Sequence, residues 1–323
     1  MPALNESTKT FAQINRGYNQ VFQPNRLSIG LVAPLESYPK ESVPTMEHHL
    51  ERARLAERAG FSALWLRDVP FNVPSFGDAG QVFDPFVYLG FLAGQTEHIA
   101  LGVASLILPL RHPAHVAKAA ATADQLSGGR LILGIASGDR PDEYPALNET
   151  YGNRGERFRD SFEFIREMAH SAPAFENRYG QTNGEMDLLP KPTAGKIPML
   201  ITGGSQQTPQ WGARHTDGLI TYPRSIDDQA NAVRSWREGI PGETGFSKPV
   251  MQSLYIDLLT DPDAPPEPIH LGFRSGMKFL KAYLKSLEEI GVNHVALNLR
   301  FNQADIEKTL LYLADDLLPE FPD

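Results

Sequence analysis

The chain has 323 residues, 41% apolar and 21% charged, an ordinary globular composition at a length that buries a large core without disulfide or metal staples. Thirty basic against 39 acidic residues give a net charge of −9, which argues against a general nucleic-acid binder, because phosphate contacts supply most of that affinity. With no cysteine, a disulfide framework, thiolate zinc sites, iron–sulfur clusters and a cysteine nucleophile are excluded, and a cytoplasmic location is expected.

Residues 1–26 are polar, lack the apolar core of a signal peptide and read as an N-terminal extension. The most apolar stretch, Ile99–Leu110, is too short to span a bilayer and contains Gly102 and Pro109, so no membrane partner is expected. From residue 27 onward, β-branched runs alternate with helical patterns. Leu27–Ala33 predicts a first strand, Thr45–Ala59 a helix stopped by Gly60, and Ala63–Arg67 a second strand. Pro85–Gly94 reads as helix, Ile99–Ala104 as strand, and His115–Leu126 as a helix with Val116, Ala119, Ala123 and Leu126 on one stripe. Strand Leu131–Ile135 and a helix over Gly155–Ala169 follow. Residues 171–196 read as an insertion. Strands are then predicted at Pro198–Thr202, Leu219–Thr221, Val250–Leu258 and Val295–Leu299, with helices after each. The proline-rich segment 260–274 reads as an irregular loop.

Eight strand–helix units demand parallel strands with crossovers, and over about 300 residues they fit a closed (β/α)8 TIM barrel, an α/β fold. An open doubly wound sheet is the competing architecture, disfavoured because no Gly-x-Gly-x-x-Gly follows the first strand. The expected layout is one domain over residues 27–323, with insertions near 171–196 and 258–275 at the C-terminal face. In such a barrel, function sits at the C-terminal ends of the strands.

Three of those ends carry chemistry. Thr202-Gly203-Gly204-Ser205, running to Thr208 and Pro209, lies between a strand and a helix, where free backbone N–H groups and the helix dipole favour an anion. It reads as a phosphate cradle, although an N-cap with a glycine turn uses the same residue types. Ala136-Ser137-Gly138-Asp139-Arg140 leaves room for something flat above the barrel, or is a small turn with solvated charges. Ala104 through Pro113 supplies one apolar wall, with His112 held extended by the proline after it. His112 is a candidate catalytic group, or a plain loop histidine. Asp68 ends the second strand and is a candidate general base, or one half of a salt bridge. The nine histidines include no His-Glu-x-x-His, so no metal is expected. Trp65 and Trp211 read as core.

The run Leu101–Pro113, the segment Ala123–Leu131 with Gly134–Gly138, the stretch Tyr151–Phe158 and the segment Pro198–Ser205 with Trp211–Ala213 together resemble the bacterial-luciferase-like flavin oxidoreductases. The resemblance runs from about residue 27 to 240 and weakly beyond. It implies a (β/α)8 barrel and a non-prolyl cis peptide at Ala104-Ser105 beneath a flavin ring. It places Ala136 beside the reactive edge of the ring, Ser137 and Gly138 near the phosphate arm, and Gly203, Gly204, Ser205 and Thr208 on the phosphate. The histidine that many members carry at the end of strand two is missing here, where the sequence reads Arg67-Asp68.

The resemblance implies a monooxygenase using reduced FMN, delivered by a separate flavin reductase, and O2 on a small organic substrate. A deazaflavin-dependent dehydrogenase, its acidic cofactor tail held by Arg140, Arg154 and Arg157, is the alternative. A non-catalytic flavin-binding paralogue is the third reading. The resemblance also implies a homodimer, and residues 1–26 are expected as an arm across the partner. The two insertions are expected to roof the pocket, since long loops at the active face commonly act as lids.

Overall fold

The computed structural model describes residues 10–242 and 245–322. The first half of the chain runs α1 (Arg16–Val21), β1 (Ser28–Val32), α2 (His49–Arg58), β2 (Ala63–Leu66), α3 (Pro85–Ala93), β3 (Ala100–Ile107), α4 (Pro113–Leu126), β4 (Leu131–Ala136), α5 (Glu143–Ala146) and α6 (Arg154–Glu167). The second half runs β5 (Ala174–Asn177), β6 (Gly180–Asn183), β7 (Met199–Thr202), α7 (Pro209–His215), β8 (Gly218–Thr221), α8 (Ile226–Glu238), β9 (Val250–Leu258), β10 (Glu267–Ile269), β11 (Gly272–Ser275), α9 (Met277–Glu289), β12 (His294–Asn298) and α10 (Ile306–Tyr312).

Eight strands pair in parallel in the order β12-β1-β2-β3-β4-β7-β8-β9, and β9 returns to β12, so the sheet closes into a (β/α)8 barrel. In this ring β7 stands opposite β1. The hydrophobic core between sheet and helices takes the outward side chains of the strands, such as Leu31, Leu64, Leu133 and Leu297, all essentially inaccessible to solvent. The inward side chains form a second, smaller core with Val32, Trp65, Ile132, Leu200 and Met251.

That inner core corrects the expectation for the N-terminal extension. Phe11, Ile14, Tyr18, Val21 and Phe22 are buried against the inward strand residues and form the barrel's floor, not an arm across a partner. The segment is fastened by polar contacts as well. Asn15 caps α1 by accepting from the Tyr18 N–H at 3.0 Å, and its amide donates to Asp124 Oδ1 (2.9 Å) and to the Leu131 carbonyl (2.7 Å). The Tyr18 hydroxyl donates to the Asp217 carbonyl at 2.8 Å. Residues 1–9 of the expected extension lie outside the described residues.

The insertions are also more ordered than the sequence suggests. Residues 174–183 form the antiparallel hairpin β5–β6, fastened to α6 through Asn177, which donates to the Asp160 carbonyl at 2.9 Å. Within 260–274, read as an irregular loop, β10 and β11 form a second hairpin, and β11 runs parallel to the overlong β9.

Trp65 fills the barrel centre because Gly102, its register neighbour on β3, has no side chain. A Cβ at Gly102 would fall 2.3 Å from the indole ring. Gly102→Ala therefore overpacks a rigid site, and a loss of about 3 kcal/mol is expected, the upper end for such insertions. Thermal or urea unfolding checks it; an unchanged midpoint would show that Trp65 can move aside.

Candidate active site

The C-terminal ends of the barrel strands surround a cavity of about 820 Å3, within the range of small-molecule sites. Val32, Ile220 and Ala296 from three strands give it an apolar base. Loops after β2, β4 and β9 raise its walls, with Phe76, Tyr151, His270 and Leu271 at the rim. The expected roof is thus half corrected. The 258–275 segment contributes His270 and Leu271, whereas 171–196 contributes none of the lining residues.

Nine of the eleven residues singled out in the sequence line this one cavity. On one wall stand Ala104 and Ser105, joined by a non-prolyl cis peptide at a break in the β3–β4 register. Beside them, at the end of β4, are Ala136, Ser137 and Gly138. Gly138 has φ +78°, and a Cβ there would meet Ile107 at 2.8 Å and the Tyr144 hydroxyl at 2.9 Å. Gly203, Gly204 and Ser205 follow β7. Positive φ at Gly203 (+54°), Ser205 (+43°) and Gln206 (+61°) coils this loop tightly against the N-terminus of α6, where a Cβ on Gly155 would meet Gln206 at 2.8 Å.

The remaining two are placed elsewhere. Thr208 does not line the cavity; its hydroxyl caps α7, accepting from the Trp211 N–H at 3.2 Å. His112 is corrected more fully. It is exposed, caps α4 by accepting from the Ala114 N–H at 3.3 Å, and its ring packs edge-on against Phe164 and Tyr179 outside the cavity. A histidine before a helix-starting proline is placed to cap, and that role has taken it.

Asp68 lines the cavity but its carboxylate is engaged. Arg111 grips both oxygens, at 3.1 and 2.7 Å, and the Ile107 N–H adds a third bond at 3.0 Å. This bidentate pair ties the end of β2 to the turn after β3 and leaves no free basic oxygen.

Sequence reasoning missed Glu143. It is 3% exposed, lines the cavity, and has Oε1 without a hydrogen-bond partner. Burial pushes its carboxyl above the usual range, against the opposing pull of Arg140 and the Phe71 N–H. In the sequence it is one of several charges between Asp139 and Glu143 that read as solvated; only a structure separates the buried one. A raised folded value means that stability from neutral Glu143 is present below the unfolded carboxyl range and is lost as pH rises through the folded value. Glu143→Gln should therefore gain on wild type in melting temperature as pH is raised from 4 to 8, and identical pH profiles for the two proteins would refute the shift.

The cavity has two charged poles. Near the β4 and β7 loops is Arg154, stacked over Tyr151 at 3.7 Å, with a buried Nε that has no partner. Across the ring, Arg67 and Arg300 both reach Asp78 Oδ2, at 2.7 and 2.9 Å. Burial alone would raise the Asp78 carboxyl, but Arg67, the Gly80 N–H and Arg300 hold it below the usual carboxylate range.

A family model described as luciferase-like monooxygenase matches residues 21–243. The chain belongs to the luciferase-like monooxygenase family. It is 34% identical over 177 residues to the alkanal monooxygenase beta chain of Photorhabdus luminescens, a match covering 53% of each chain. It is 28% identical over 211 residues to the F420-dependent hydroxymycolic acid dehydrogenase of Mycobacterium tuberculosis, covering 64% of this chain and 56% of that one. With these relatives the matched region spans little more than half of their length. Among solved structures, the oxygenating constituent of 3,6-diketocamphane monooxygenase from Pseudomonas putida, in complex with FMN, superposes with TM-score 0.72 at 15% identity, covering 92% of this chain and 99% of that one. The family thus holds flavin-dependent monooxygenases and F420-dependent dehydrogenases on one barrel. Among the described residues no helix is long and apolar enough to cross a membrane.

Proposed function

We propose that this protein is a flavin-dependent monooxygenase that uses reduced FMN and O2 on a small organic substrate. The observation that carries the reading is the meeting, in one cavity, of the coiled 203–205 loop, the 136–138 turn and the irregular wall at Ala104-Ser105. The residues fit FMN. The unpartnered Nε of Arg154, the room at Gly204, where a Cβ would make only an ordinary contact, and the backbone of Gly203 to Ser205 make a phosphate cradle. Ser137 and Gly138 adjoin it, and the wall at Ala104, Ser105 and Ala136 offers a flat, small-residue face for a ring.

When bound, reduced FMN supplies the electrons for oxygen activation, delivered by a separate reductase. The chain's own residues do the rest. The apolar base of Val32, Ile220 and Ala296 excludes water from below. With Asp68 held by Arg111 and Asp139 exposed, Glu143 is a buried acid of the cavity lining with an oxygen that has no partner, and it is the residue we assign to hold or pass a proton.

The deazaflavin alternative needs a basic groove for its long acidic tail. Of the three arginines expected there, Arg140 is buried and donates to the Asp78 carbonyl at 2.9 Å. Arg157 pairs with Glu149 outside the cavity lining. Arg154 alone remains to meet such a tail, which favours FMN.

The test is anaerobic titration with reduced FMN and, separately, with a reduced deazaflavin, followed by mixing with O2. Reduced FMN should bind at least tenfold tighter, and its reoxidation kinetics should differ from those of free flavin. Tight binding of the deazaflavin alone would make this a hydride-transfer enzyme. FMN that binds but reoxidises like free flavin would favour the non-catalytic paralogue.

A further inference from the structure

The second pole of the cavity carries more positive charge than its own acids neutralise. Two guanidiniums, Arg67 and Arg300, share one oxygen of one carboxylate, Asp78 Oδ2. A third, Arg140, donates to the Asp78 backbone carbonyl. The other carboxyls of the lining do not make up the difference. Asp68 is taken by Arg111, and Asp139 is exposed. Glu143, beside Arg140, is held toward its neutral form by burial.

The three arginines also differ in what they have left to offer. Arg300 donates through Nη2 to the carbonyls of Glu41 and Gly77, both at 3.0 Å, and is fixed. Arg140 lies over Phe76 with its guanidinium largely buried. Arg67 makes one side-chain hydrogen bond, through Nη1 to Asp78, so among the described residues its Nε and Nη2 are without partners. It lines the cavity at the end of β2, packed so that a Cβ on Gly80 would fall 3.0 Å from its guanidinium carbon.

This pole is not the phosphate site. Arg67 follows β2 and Arg300 follows β12, the two neighbours of β1, whereas the 203–205 loop follows β7, on the far side of the ring. A flavin phosphate at the β7 loop leaves this pole for the second ligand.

We propose that the Arg67 pole is an oxyanion subsite and that the substrate is a small organic acid whose carboxylate docks on the free edge of Arg67. A guanidinium fork matches a planar carboxylate in shape as well as charge, and Asp78 with Arg300 holds that fork in place. The inference deepens the function proposed above and rests on it for the position of the flavin, while the anion subsite itself rests on the arginines.

The experiment uses the FMN-loaded protein in a low-salt Tris chloride buffer. Benzoate, phenylacetate and hexanoate are titrated beside their uncharged amides, and the flavin absorbance is read. The acids should perturb the spectrum saturably, and the amides should bind at least tenfold more weakly. Arg67→Gln should weaken the acids at least tenfold with FMN affinity within twofold of wild type. Arg67→Lys, which keeps the charge and loses the fork, should fall between. Calorimetry of the same acids with flavin-free protein separates the two claims. Failure of FMN to bind while acids still bind would sink the flavin reading and keep the subsite. Equal binding of acids and amides, no binding of any acid, or an Arg67→Gln variant with unchanged acid affinity would overturn the subsite.

Discussion

Gly204→Asp is expected to lower FMN affinity by at least 100-fold, while Gly204→Ala leaves it within a few-fold. The contrast follows from the space around Gly204. Its φ is not positive, and the nearest heavy atom to a Cβ there is the Gln207 carbonyl oxygen at 3.6 Å, an ordinary contact. A methyl group therefore fits. A carboxylate instead faces a phosphate that carries about −1.5 to −2 charges. At about 4 Å each unit pair is worth roughly 1 kcal/mol in bulk water and about 4 kcal/mol near a protein surface. Several kcal/mol of repulsion is two or more orders of magnitude in affinity. Flavin fluorescence quenching measures both variants, and an Asp variant that binds FMN within fivefold of wild type would move the phosphate to another loop.

The second large effect is acid unfolding governed by His294. This histidine is buried in the barrel centre, where Trp65 Nε1 donates to its Nε2 at 2.8 Å. An indole N–H only donates, so Nε2 must be unprotonated and Nδ1 carries the hydrogen, which points at Ser28 Oγ, 2.7 Å away. Ser28 in turn donates to the Val21 carbonyl, also at 2.7 Å. The chain of donors leaves no place for a second proton, and burial lowers the pKa to about 3. The folded value lies below the unfolded value of about 6.5, so the unfolded chain binds more protons between the two. Stability is thus full above about pH 6.5 and is lost as pH falls toward 3, by up to about 5 kcal/mol at about 1.4 kcal/mol per unit. Urea unfolding at pH 7.5, 6 and 4.5 should show a steep decline that flattens in His294→Gln. A decline of the same slope in both proteins would assign acid sensitivity to other groups.

Much of this molecule is legible in its sequence, and the residues show why. The eight barrel strands are short apolar runs bounded by turn residues, and each was found within a few positions, because burial on both faces leaves that composition. The proposed phosphate loop is legible through Gly203, whose positive φ favours glycine. What the sequence hides is direction. His112 caps α4 and Glu143 opens α5, each next to a charged residue in the sequence, yet one points out to cap a helix and the other lines the cavity. The proline after His112 hints at its capping role, but the packing contacts are distant in sequence, with Phe164 and Tyr179 in one case and with the β2–α3 loop in the other. The floor segment did leave a signal. Phe11, Ile14, Tyr18 and Val21 recur at helical spacing, a stripe that polar flanks obscured. The β10–β11 hairpin was masked by prolines that sit at a sheet edge, where they are tolerated.

The seam of the barrel lies between β1 and β12, where Ser28 meets His294 across 266 positions of chain. A polypeptide emerging from the ribosome at roughly 5–20 residues per second exposes β1 long before its partner exists. Through that interval the edge of β1 that β12 will occupy stays unpaired, and a chain stalled before residue 294 cannot close the barrel.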